Sequence, residues 1–584
     1  MASLMLKETP KHVGENAHID HGWSYNMDEK IVQFFFQLVR CKNHKQLKVQ
    51  INGILQSFRG RELGCIPQMT VMYKLIGQTR DIVAGKGEQQ LAFMQLWAWY
   101  QYYPVLAIFA MDQFVFLNSS NSAHPYGSWK DIKYWCEYVK NQSGSENHAL
   151  ITAALEIAEK QLLYDDCLLS QRNQEEFPHI SLVGKWFPRE KSKYGWLFKK
   201  MALRMFGNFI DTASTQEKRQ KAKIKGRIML KKMLTALNKY LDTPQIKMCA
   251  GEWENLHFSG LTTQTLRRQK LALLNKNKKG EVRVHMNKRK AKDRIKCAEK
   301  FTVHIEAAKV DPKRHKVHGK RCNAYELVKD GFAAINSVEI DTVNLQWESN
   351  KSNNKGLEKT PFIAMVDTSS SMTCDNNVPL YNAIGLGIRV SELTHPSFRH
   401  RVLTFDAAPN WVNMEDCSTF VEKIHKVRDS SWGMNTNFYA ALTLILDVIL
   451  ANNIPPREVE GLVLAVFSDM QLDHKWSGTS GSLNTMSDNI RKMYYDAGMK
   501  SSFKAPYEAP HILFWNLRAT DGFPALSTEK NVTMLSGYNS TLLNVFCNKG
   551  INALKGVTPR KIVADLLDNP RYVALEEKIV SYFA

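Results

Sequence analysis

PFIAMVDTSSS, residues 361–371, runs from Pro361 to Val366 without a polar side chain and then changes to Asp367, Thr368, Ser369, Ser370 and Ser371. A continuous apolar run of this length, closed by residues that favour turns, fits a strand buried on both faces. Strands of that kind belong to parallel sheets covered by helices on either side. The pattern continues downstream. A helical stretch at 380–393 precedes the strand RVLTFD (401–406), helices at 419–426 and 438–450, the strand GLVLAVFSD (461–469) and the strand HILFWNL (511–517). Residues 360–584 therefore read as one α/β domain with a parallel sheet.

In open sheets of this type ligands bind at the carboxyl ends of the strands. Asp367 and Asp469 both stand at such ends. Asp367, Ser369 and Ser371 alternate along the chain, so a carboxylate and two hydroxyls can project to one side of a tight loop. Such an oxygen set suits a hard divalent cation, with magnesium, manganese and calcium all compatible. Two carboxylates with neutral hydroxyls would leave the cation an open position for an acidic ligand. The competing reading is that Ser369 and Ser371 only cap the next helix.

At 584 residues the chain is long enough for several domains, and its 44% hydrophobic and 23% charged residues exclude extensive disorder. Residues 1–25 read as a tail and 26–260 as helical. Apolar residues recur three and four apart at 30–38, 92–103, 148–163 and 196–206, and polar connections such as 118–128 and 141–147 separate the stretches. Stacked helical pairs are expected, although no repeat period stands out. Leu91 to Met111 lacks charge over the length of a bilayer crossing, but Gln95, Gln101 and Pro104 interrupt it, which favours a helical hairpin broken at Pro104 over a membrane span. The ten cysteines form no CxxC pair, and MASLMLKETPKH at the start has no apolar leader core. Reduced thiols and an intracellular, non-secreted protein are expected.

The net charge of +21 is unevenly placed. Residues 361–584 hold 20 Lys and Arg against 22 Asp and Glu, a net of −2, and the first 360 hold 58 against 35, a net of +23. Within the connecting segment 261–359, residues 267–300 hold 14 basic and three acidic side chains. Arg267, Arg268, Lys288, Arg289, Lys290, Lys292 and Arg294 are the candidates for phosphate contacts, since clustered cations gain affinity by releasing counterions from nucleic acid. The plainer alternative is a solvated surface run. Lys288 to Lys292 (KRKAK) also fits a nuclear address, so the compartment is expected to be cytoplasmic or nuclear. GKGE (85–88) lacks the earlier Gly and the following Ser or Thr of a nucleotide-binding loop and is expected as a turn. Trp186 and Trp196, flanked by basic residues, could stack on bases or pack in the core.

Asp367-x-Ser369-x-Ser371, followed by Thr436 in WGMNTNFYAAL and Asp469 in VFSD, resembles the metal-ion-dependent adhesion site of von Willebrand factor A domains. That resemblance implies a Rossmann-like α/β domain with Asp367, Ser369, Ser371, Thr436 and Asp469 around a magnesium, manganese or calcium ion. The loop reads Gly433-Met434-Asn435-Thr436 where the family often has Gly-Gly-Thr, which leaves Asn435 as an alternative to Thr436. A basic helical module ahead of such a domain resembles the Ro autoantigen (TROVE) layout. RDIVAGKGEQQ (80–90), YGSWKDIKYW (126–135), SLVGKWFPREKSKYG (181–195) and KMCAGEWENL (247–256) are similar to a domain-of-unknown-function family with the same layout. The resemblance implies HEAT-like helical repeats joined to the A-type domain, and a non-enzymatic RNA-binding protein active in ribonucleoprotein assembly or RNA quality control. The alternative is a metal-dependent protein-interaction scaffold that captures an acidic protein ligand. Nothing in the residues indicates an oligomeric state.

Overall fold

In a computed structural model the chain is described over residues 9–13, 19–116, 124–171, 178–283, 291–354, 357, 361–394, 396–405, 409–430, 438–471, 486–547 and 556–584. A short antiparallel pair, β1 (Lys11–Val13) and β2 (Ile19–His21), opens it. Helices of nine residues or more follow: α1 (Met27–Gln37), α2 (Lys45–Phe58), α3 (Ile66–Arg80), α4 (Gln89–Tyr102), α5 (Pro104–Asp112), α6 (Lys130–Ser143), α7 (Ala149–Gln171), α8 (Gly195–Phe206), α9 (Gln216–Tyr240), α10 (Thr263–Leu273), α11 (Ala291–Val310), α12 (Ala324–Phe332) and α13 (Ser337–Lys351). Beyond them strand and helix alternate through β3 (Phe362–Asp367), α14 (Cys374–Leu393), β4 (Arg401–Phe405), β5 (Asn410–Asn413), α15 (Phe420–Arg428), α16 (Phe438–Ala451), β6 (Val463–Ser468), α17 (Met486–Lys500), β7 (His511–Asn516), β8 (Val532–Ser536), α18 (Pro559–Leu567) and α19 (Val573–Phe583). The protein is thus mostly helical with an α/β part towards its C-terminus.

The apolar runs at 362–367, 463–468 and 511–516 form strands in which every residue is buried, as two-face burial requires. The sheet order is β5-β4-β3-β6-β7-β8. Counted within the sheet this is 3-2-1-4-5-6, the doubly wound order whose direction of winding reverses between the first and fourth strands. All pairings are parallel except β4 with β5, so the sheet is mixed, not purely parallel as expected. NWVN (410–413) is short and only partly buried, with no apolar run to announce it. Helix α14 lies over β3 with Gly387 at the contact, where an added Cβ would stand 2.3 Å from Val366 Cγ2.

The chain divides into two compact units. One contains Met1–Leu91, Thr262–Lys270 and Val303–Val573; the other contains Ala92–Leu261, Leu271–Thr302 and Ala574–Ala584. Helices α1 and α3 pack within the unit that holds the sheet. Lys86, after α3, is fully enclosed and donates to Phe35 O at 2.6 Å, Leu38 O at 3.1 Å and the Ser536 hydroxyl at 2.5 Å. Asp81, completely buried, accepts two bonds from Arg571 at 2.6 Å each. GKGE is a turn, as expected: a Cβ on Gly85 would meet Gln78 O at 1.9 Å, and Gly87 has a φ of +72°.

The second unit is helical. Phe93, Trp135 and Tyr138 form an aromatic cluster with ring centroids 5.4–5.9 Å apart. The apolar stretch around 91–111 breaks at Pro104, which starts α5 at a position where proline's missing N–H costs nothing. Among the described residues no helix is long and apolar enough to cross a membrane.

Candidate functional site

Strands β3 and β6 are neighbours at the winding reversal, with Val366 opposite Phe467. The register brings Asp367 beside Ser468 and Asp469 at the carboxyl edge. Asp367 and Asp469 are completely buried and Ser369 is 4% exposed. Asp367 Oδ1 accepts the Ser369 N–H at 2.9 Å, and Oδ2 accepts the Ser468 hydroxyl at 2.5 Å. The first bond closes a local turn that aims the following hydroxyls, and Ser369 Oγ stands 3.0 Å from Ser371 Oγ. Asp367, Ser369 and Ser371 are therefore gathered in one place.

Burial pushes the Asp367 carboxyl up to about 7, with the charge of Asp469 adding to the effect and hydrogen bonds from Ser369 and Ser468 opposing it. Two neighbouring buried carboxylates repel each other unless a proton or cation lies near. Asp469 Oδ2 accepts from Arg518 Nη1 at 3.0 Å, its Oδ1 accepts the Gln471 N–H at 3.3 Å, and its carbonyl accepts the Thr520 hydroxyl at 2.8 Å. Thr368 Oγ1 is buried without a hydrogen-bond partner among the described residues. The donor set is oxygen only, mixing carboxylate with hydroxyl, which is what magnesium, manganese or calcium takes. Among the described residues no group of three or more His, Cys, Asp or Glu side chains is placed to hold a metal. Any cation there depends on the serine hydroxyls as well.

Thr436 and its alternative Asn435 lie outside the described residues. Beside the site a cavity of about 330 Å³ is lined by Arg40, Cys374, Asp375, Pro379, Arg518 and Tyr538, among others. Arg40 pairs with Glu88 at 2.9 Å and lies over the rings of Tyr325 and Tyr538. Asp375, Asn376 and Asn377 hold three consecutive left-handed conformations with φ of 50–62°, a backbone state that Asp and Asn tolerate better than most residues. Arg40, Ser468 and Arg518 were not among the expected site residues. Ser468, in VFSD, was open to inspection as the residue preceding Asp469; Arg518 carries no local sign of its pairing.

The expected nucleic-acid contacts fare differently from one another. Lys288, Arg289 and Lys290 lie outside the described residues, and Lys292 and Arg268 are exposed. Arg267 is engaged with Glu326 and with Asp330, the latter at 2.6 Å. Arg294 is 8% exposed, lies 3.6 Å over the Trp253 ring and donates to Ala272 O. These two arginines hold the fold together internally. Trp186 is covered by Lys133 and Lys185 at 5.1 and 5.6 Å, and Trp196 by Lys140 at 4.9 Å. A basic face that composition over 267–300 did not reveal lies on α9, with nine Lys or Arg and a single acidic residue in Gln216–Tyr240.

Comparison with known proteins gives two matched segments. Residues 362–564 match a family described as "Domain of unknown function (DUF7788)", and residues 138–349 match "Domain of unknown function (DUF2828)". The first segment contains Asp367, Ser369, Ser371 and Asp469, and the second contains α9. The chain is also similar to an uncharacterized protein of Acanthamoeba polyphaga mimivirus, 25% identical over 496 residues that cover 82% of this chain and 76% of the relative. No solved structure matches.

Proposed function

We propose that the protein is a non-enzymatic, Ro-like RNA-binding protein whose α/β unit is a von Willebrand factor A-type domain with a metal-ion-dependent adhesion site. The observation that carries this reading is the convergence of Asp367, Ser369 and Ser371 with Asp469 at the ends of adjacent strands. The doubly wound sheet with one antiparallel edge supports the A-type assignment, and the run of helices ahead of it is compatible with HEAT-like pairs. Asp367, Ser369, Ser371 and Asp469 would hold magnesium, manganese or calcium, with Thr436 or Asn435 as the loop ligand. A bound cation supplies an electrophilic position for an anionic group of the ligand. RNA is favoured as that ligand by the net of +23 over the first 360 residues.

The test is capture of RNA by purified wild type and Asp367→Ala chains, with magnesium or with a chelator, followed by sequencing of what is bound. RNA enriched on wild type supports the reading, and its loss with the chelator or in the variant ties it to the metal site. The second reading, a metal-dependent scaffold for an acidic protein segment, is favoured by Arg518 and Arg40 in the wall of the adjoining cavity. Absence of enriched RNA, with magnesium-dependent binding of an acidic peptide, would transfer the assignment to it.

A further inference from the structure

We propose that the outward face of α9 is a track for the phosphate backbone of nucleic acid. Lys218, Lys225, Lys232 and Lys239 recur every seven residues, with Lys221 between the first two. At 3.6 residues per turn and 1.5 Å rise the five fall within about 60° of one another and span about 31 Å. All five are exposed. The opposite side of the helix is consumed by its own unit. Ala222, Leu230, Leu234 and Leu237 are buried there, and a Cβ on Gly226 would stand 3.1 Å from the Phe206 side chain. The inner face thus fixes the rotation of the helix, and that rotation points the lysines at solvent.

The lysine chemistry is that of an anion surface with few internal claims on it. Arg227, off the stripe, is paired with Glu190 at 3.1 Å. By contrast Lys218 contacts the Ser214 hydroxyl and Lys225 lies 4.6 Å from the centre of the Phe209 ring, both neutral groups. Among the described residues none of the five lysines is in an ion pair. Regularly spaced point charges without aromatic rings between them read phosphates and not bases, so recognition is independent of sequence. A membrane surface would ask for the reverse arrangement, with the apolar face of the helix available for insertion. Here that face is in the core, and the large apolar residues of α9 that are exposed are Ile224, Ile228 and Met229, at 49%, 49% and 37%.

This inference rests on the reading that the ligand is nucleic acid, and the experiment separates the two. A fluorescent single-stranded RNA of mixed sequence is titrated with full-length protein between 50 and 200 mM potassium chloride. The proteins are wild type, the fourfold variant Lys218→Gln, Lys225→Gln, Lys232→Gln, Lys239→Gln, the same four changed to Arg, and a fourfold Gln variant at Lys288, Arg289, Lys290 and Lys292. With the track in use, the slope of log affinity against log salt falls by about 3 in the α9 Gln variant, at roughly 0.7 per phosphate contact, and affinity at 100 mM salt falls roughly tenfold or more. The Arg variant keeps both. Melting followed by circular dichroism checks that the variants fold. If wild type binds RNA and the α9 Gln variant binds with the same slope, the track is wrong and the RNA reading stands. If wild type does not bind RNA, both fall. Binding to vesicles containing phosphatidylserine, lost in the α9 variant and unaccompanied by RNA binding, would reassign the face to membranes.

Discussion

Arg518 donates from Nη1 to Oδ2 of Asp469 at 3.0 Å, and the carboxylate it holds is 1% exposed. The guanidinium is the counter-ion of one of the two acids at the strand ends. A divalent cation bound there, as proposed, would compete with it for Asp469. Arg518→Gln removes a competitor and a like charge, so manganese affinity is expected to rise about tenfold, worth about 1.4 kcal/mol. Titration calorimetry or the electron paramagnetic resonance of free manganese reads this directly. Equal or weaker binding by the variant would remove Asp469 from the groups that hold the ion.

Asp367→Asn tests the other acid. The substitution keeps the shape and removes a buried charge, and the Ser468 hydroxyl can reverse its bond to accept from the new amide. Without metal the variant should match wild type or exceed it by about 1 kcal/mol, because repulsion between Asp367 and Asp469 is gone. With magnesium at a hundred times its dissociation constant, wild type should gain about 2.7 kcal/mol and the variant nothing. Urea melts with and without magnesium measure both. A magnesium response in the variant equal to that of wild type would sink the metal assignment.

Legibility differed between elements for physical reasons. Strands β3, β6 and β7 are buried on both faces, and that burial writes itself as an unbroken apolar run. Their ends located Asp367 and Asp469. Edge strand β5 and the five-residue β8 carry too little pattern to be separated from loop. Lys86 looked like one more polar turn residue, since nothing local records that Phe35, Leu38 and Ser536 close around it. The density of basic residues along the chain favours 267–300. Exposure is set by packing instead: Arg267 and Arg294 turn inward, and the seven-residue spacing of α9 lysines becomes a face only once Leu230, Leu234 and Leu237 orient the helix.

Lys86 also predicts a pH dependence. Burial holds its pKa well below the usual lysine value, with Glu88 opposing, while the unfolded chain returns it to about 10.4. Between those values the unfolded state binds the additional proton, so this group's contribution to stability grows as pH rises and is lost as pH falls through the folded-state pKa. Lys86→Met lacks the contribution and takes this donor from the Leu38 carbonyl, at a cost of about 1–3 kcal/mol if it is left unsatisfied, while Phe35 O keeps the Ser536 hydroxyl at 3.0 Å and the Leu38 N–H at 3.3 Å. The stability gap between wild type and variant should widen from pH 7 to pH 10 in denaturant titrations. A flat gap would mean that three acceptors and the Phe35 ring, 4.1 Å from Nζ, keep the ammonium charged throughout.

Gly387 and Val366 couple the covering helix to the strand that ends in Asp367. A Cβ on Gly387 would stand 2.3 Å from Val366 Cγ2, inside any ordinary contact, while the next neighbour is 3.7 Å away. Gly387→Ala in the wild-type background should therefore cost about 1–3 kcal/mol, as overpacking does. In a Val366→Ala background the obstructing methyl is gone, so the same change fills space and gains the helix preference of alanine over glycine, worth about 1 kcal/mol. The step is then expected to be neutral or stabilising, and the cycle should give a coupling of at least about 1 kcal/mol. Additive costs in urea denaturation would show that α14 shifts away from β3 as a body. In that case the spacing of helix and strand is not set by this contact, and manganese affinity should also be insensitive to Gly387→Ala.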